Sequence, residues 1–61
     1  MKTGDRVLVE GVEGGARNGT LLGCSMRHIV DFWIVGLDTP VFRDGEEWRA
    51  VVVPTGLITL L

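Results

Sequence analysis

The sequence predicts an all-β fold of five short strands, and three observations carry that expectation. Apolar residues recur at every second position over residues 5–10, and β-branched and aromatic residues crowd into residues 28–37. Glycine, proline, Asn-Gly and Asp-Gly break the chain at short intervals. No stretch carries the spacing of an amphipathic helix.

In chain order, residues 5–10 alternate Val7 and Val9 against Arg6, Leu8 and Glu10, the period of a strand with its valines inward. Residues 11–19, GVEGGARNG, hold four glycines and read as a loop, with Asn18-Gly19 as a tight-turn signal. Residues 20–26 form the second strand, with Gly23 placed for a bulge. Arg27 and His28 make the reversal into residues 28–37, HIVDFWIVGL, the longest apolar run and the expected central strand. Residues 37–47 contain Pro40, Asp44-Gly45 and several acids, and read as a connection extending into a short hairpin arm. Residues 48–53 resume strand character. Pro54, Thr55 and Gly56 stop it in a short 3₁₀ turn, and residues 57–61 close the fold as a last strand.

Bulk properties narrow the function classes. At 61 residues the chain is expected to be one domain, residues 1–61, of a size at which stability is marginal. Yet 46% of its residues are hydrophobic, which points to apolar surface covered by another chain, either a second copy or another protein. Six Lys and Arg against eight Asp and Glu leave a formal charge of −2 with no basic stripe, which disfavours nucleic acid as a partner. The lone Cys24 reads as a small strand residue in a reducing cytoplasm. The start lacks the apolar core of a secretion signal, and no run approaches the ~20 residues that cross a bilayer. A soluble, cytoplasmic protein without membrane contact is expected.

The glycine-rich first loop and the proline-containing turn before the last strand resemble the Src-homology-3-like (SH3-like) five-stranded small barrel. Gly4-Asp5-Arg6-Val7 with Val9, then Gly15, Asn18-Gly19-Thr20-Leu21, Val52-Val53-Pro54, Leu57 and Ile58 carry that likeness. The opening half is similar to the KOW-type motif of ribosomal and transcription-factor barrels, and implies a nucleic-acid or ribosome-binding domain using residues 11–19 and Arg17. More of the chain resembles the plasmid-borne type II dihydrofolate reductases, small barrels that act as tetramers around one pore. Their Val-Gln-Ile-Tyr run before the proline would fall on Ala50, Val51, Val52 and Val53 here. The ligand-contacting Gln and Tyr are therefore missing, which argues against the activity; the likeness implies the fold, permits oligomerisation, and leaves as an alternative an oligomeric reductase whose site forms only at a symmetry axis and binds a dinucleotide cofactor.

Asp31 serves as the marker of the outer face in the central strand, with Val7, Val9, Leu21, Val30, Phe32 and Ile34 inward. Leu22, Trp33 and Val35 then fall outside, and with Arg49 outward so do Val51 and Val53. The second, third and fourth strands are neighbours in this barrel class, so these five residues form an apolar interface patch with Trp33 as its anchor. Arg17 and Asn18 on the first loop, and Trp48 as a stacking platform, are the candidate ligand-binding residues. By parity Trp48 goes inward with Ala50 and Val52. His28 has no partner in the pattern and reads as a turn residue, and Asp44, Glu46 and Glu47 read as a solvated hairpin tip. No catalytic set, metal-ligand set or cofactor motif stands out. The expectation is a non-enzymatic binding or accessory module that self-associates through the sheet face of its second, third and fourth strands.

Overall fold

Alternation becomes a ladder in the first strand, β1 (Arg6–Val9), where Val7 and Val9 are wholly buried. The structure, a computed structural model, describes residues 1–12, 14–27 and 30–61. Four further strands follow: β2 (Arg17–Arg27), β3 (Val30–Arg43), β4 (Glu46–Pro54) and β5 (Ile58–Leu60). A 3₁₀ turn at Thr55–Leu57 precedes β5. All pairings are antiparallel, in one sheet of order β4-β3-β2-β1-β5, so β4 and β5 are its edges and the sheet is not closed. Among the described residues no helix is long and apolar enough to cross a membrane.

β2 starts earlier than its glycines suggest, because the ladder with β1 runs on from Arg6 opposite Thr20 to Val9 opposite Arg17. Asn18-Gly19 is therefore strand and not turn. Gly19 is buried where β2 crosses β3: a Cβ there would sit 2.6 Å from the Gly36 carbonyl oxygen and 2.7 Å from Val35 Cγ1. Its glycine serves close approach rather than backbone freedom. The bulge expected near Gly23 is present, with the β2–β3 register shifting between Leu21 and Gly23.

β3 runs through the expected connection as far as Arg43, and is strand where a loop was anticipated. Its register with β4 slips between Gly36 and Val41, so Pro40 lies in an irregular stretch with no ladder N–H to supply. Asp44 and Gly45 make the reversal with φ of 53° and 79°, the two positive values of a tight hairpin turn. Beyond β4, Thr55 Oγ1 donates to the Asp31 carbonyl at 3.2 Å, and Glu10 N–H donates to the Leu57 carbonyl at 2.9 Å. These bonds tie the 3₁₀ turn to β3 and to the end of β1.

The core is Val7, Val9, Leu21, Val35, Val53 and Ile58, with Val12, Trp33, Leu37 and Val51 packed against it. Each fully buried aliphatic contributes about 1.5–3 kcal/mol. The facing expected for β3 and β4 is thus reversed. Val35 and Val53 are buried, and Trp33 and Val51 pack on the core, whereas Ile34 is 37% exposed and Phe32 only half-buried. The reason lies in the two marker residues. Asp31 is exposed because it sits near the end of its strand, although it shares the parity of Trp33 and Val35. Arg49 is exposed because it lies opposite the irregular part of β3. His28 and the side chain of Val30 lie outside the described residues.

Candidate functional site

The bulge at Leu22 and the pleat of β3 and β4 together build an apolar outer face. Leu22 is 53% exposed and lies over Gly36, where an added Cβ would come within 3.0 Å of its Cδ1. Gly36 stands opposite Ala50, and Ile34 stands opposite Val52, which is 59% exposed. Directly opposed residues share a face. Leu22, Ile34, Ala50 and Val52 therefore form one contiguous apolar surface across three strands.

One rim of this face is charged. Arg6 Nη1 donates to Thr20 Oγ1 and to Asp38 Oδ1, each at 2.8 Å, and Nη2 donates to Asp38 Oδ2. The hydrogen bond to Arg6, reinforced by its charge and opposed by desolvation, holds the Asp38 carboxyl below its ordinary value and raises the guanidinium's in turn. The pair links β1 to β3 over the top of β2. A second ion pair, Arg49 Nε to Glu47 Oε2 at 3.0 Å, lies along β4.

A groove of about 370 Å³ follows β4, with Gly11 and Val12 on one side and Val41, Trp48 and the successive residues 50–53 on the other. Trp48, 46% exposed, stands opposite Val41, the one buried residue of the hairpin arm among those described.

Of the five expected interface residues, only Leu22 lies on the exposed face. Trp33, Val35, Val51 and Val53 belong to the inner side, so the patch keeps its three strands and changes its members. Trp48 lines the groove, but Ala50 and Val52, expected inward with it, are exposed. Arg17 and Asn18 are strand residues opposite Val9 and Leu8. The Arg17 guanidinium folds over Gly14, and its Nε is buried with no hydrogen-bond partner among the described residues. The structure does not join Arg17 and Asn18 to Trp48, since the groove's described lining includes neither. Asp44, Glu46 and Glu47 are all exposed, and among the described residues no group of three potential ligands converges on a metal position. Cys24 is exposed, opposite Trp33.

Sequence reasoning missed Ile34, Ala50 and Val52. The usable signal was the pairing of two short apolar runs, Trp33, Val35 and Leu37 against Val51 and Val53, which continue inward together once Leu21 fixes the register.

These features define a small all-β protein built on one open antiparallel sheet with an apolar outer face. The chain matches no family model, and no curated protein or solved structure is similar enough to it to count as a relative.

Proposed function

We propose that the chain is a small SH3-like binding or accessory module that self-associates through the exposed apolar face of β2, β3 and β4. A single observation carries the reading: Leu22, Ile34, Ala50 and Val52 make one contiguous exposed apolar surface on a chain of only 61 residues. Water contact over such a surface is unfavourable by about 25 cal/mol per Å², and a second copy removes it. The Arg6–Asp38 pair at the rim adds a polar border of the kind that surrounds interface cores. A five-stranded antiparallel order ending in a 3₁₀ turn and a short last strand supports the small-barrel reading of the fold.

The test is solution mass by light scattering on a size-exclusion column. The wild-type chain is expected at a multiple of 6.7 kDa, and Ile34→Glu at 6.7 kDa with its β-sheet circular dichroism retained. A folded Ile34→Glu chain of unchanged oligomeric mass would refute the face as the contact.

A further inference from the structure

We propose that two copies of the chain join edge to edge through β4, in an antiparallel ladder that brings Ala50 opposite its own copy on a two-fold axis. The proposal rests on the reading that the chain self-associates, and adds to the apolar face an edge contact in which Val52 of that face takes part. β4 is the long free edge of the sheet: it has nine residues and β3 as its only strand neighbour among the described residues, against three residues for β5. A free row of backbone N–H and C=O groups is a template for a further strand. β4 carries three charged residues, a register slip beside Arg49 and a proline at its end, but it has no Lys, its one cation, Arg49, is engaged by Glu47, and residues 50–53 are an uninterrupted apolar run.

The groove points to the same edge. Four successive residues, 50–53, line it although their side chains alternate between faces, and Ile34, Val41 and Arg43 of β3 line it too, so it takes in the β4 backbone together with the neighbouring strand. At about 370 Å³ it leaves room beside β4 for part of an extended chain.

Symmetry and charge select the register. Opposed residues in an antiparallel pair share a face, so a two-fold axis perpendicular to the sheet must set one residue against its own copy. Glu47 or Arg49 in that place would oppose like charges, and Trp48 there would pair only residues 46–50. Val51 or Val52 there would leave both glutamates outside the ladder. Ala50 pairs the whole strand, 46–54, and sets the exposed Trp48 against the partner's Val52 and Val52 against the partner's Trp48. The smallest side chain of β4 then lies between them. Glu46, Glu47 and Arg49 meet the partner's Pro54, Val53 and Val51, so no like charges are opposed.

Amide hydrogen exchange on the full chain, with light scattering under the same conditions, tests the ladder. A free edge exposes every second amide, and a paired one exposes none. The expected result is a species of twice 6.7 kDa with protection along all of β4, returned to 6.7 kDa by Val52→Lys. The double variant Cys24→Ser/Ala50→Cys should form a disulfide-linked dimer with oxidised glutathione, and Cys24→Ser/Thr59→Cys, on β5, should not. A dimer with alternating protection along β4 and no cross-link at position 50 would overturn edge pairing and leave self-association standing. A monomer would overturn both. Protection that arises only when an unrelated extended apolar peptide is added would assign the groove to a peptide partner and overturn the pairing of two copies.

Discussion

β1 has four residues and β4 has nine, yet β1 buries two valines completely while β4 buries only Val53. The difference follows from their places in the sheet. β1 is flanked by β2 and β5 and turns every second residue onto the core, whereas β4 has a strand on one side only and an arm that projects beyond the core. Phe42, 66% exposed, and Trp48 stand on that arm. Strand length and apolar content are therefore poor guides to contribution in so small a sheet. A short strand held on both sides stabilises the fold, and a long one held on one side offers surface.

The strongest way to break this comparison is in the core strands. Leu21→Ala, at a fully buried site, should cost about 2–5 kcal/mol in urea denaturation, a large part of what a chain of this size has. The neighbours Trp33 and Ile34 give a sharper test, because they lie on opposite sides of one strand. Trp33→Glu should lower stability by about 3 kcal/mol or more, while Ile34→Glu stays within about 0.5 kcal/mol of wild type and changes only the solution mass. Equal losses would mean that β3 has no distinct inner face. Gly19→Ala should cost about 1–3 kcal/mol, since the added methyl meets backbone rather than a yielding side chain. The smallest effect concerns the rim. Asp38 has a depressed carboxyl value in the fold, so its contribution is present above the ordinary carboxylate pKa of about 3.9 and is lost as pH falls through the lower folded value. Asp38→Asn should flatten acid unfolding in that range, and an unchanged acid profile would show the Arg6 pair to be energetically silent.

What was readable in the chain was whatever local chemistry alone decides. The alternation of β1, the Gly23 bulge, the Asp44-Gly45 reversal and the turn after Pro54 each follow from one residue's backbone preference or from a period of two. Facing in β3 and β4 was not readable, because it depends on which strand lies opposite. A charged residue marks the outer face only in the middle of a strand, and Asp31 and Arg49 sit where water reaches either face. Asn18-Gly19 failed for a related reason. The same glycine that permits a turn also permits the crossing against Gly36, and only the tertiary contact chooses between them. The apolar surface was thus foreseen on the correct three strands with most of its residues exchanged for their neighbours.

The single extra residue at Leu22 makes β2 a strand written in two phases. Up to Leu21 its odd-numbered positions look toward the core, and beyond the bulge Gly23 stands opposite the outward Ile34 and the exposed Cys24 opposite Trp33. Deleting Leu22 would merge the phases and still leave Leu21 opposite Val35 and Gly23 opposite Ile34, so neither residue would change sides. What the shorter chain would lose is the leucine itself: the bulge is an insertion through which β2 gains an outward apolar side chain without altering its ladder, whereas a deletion at Leu21 would slip the strand by half a period.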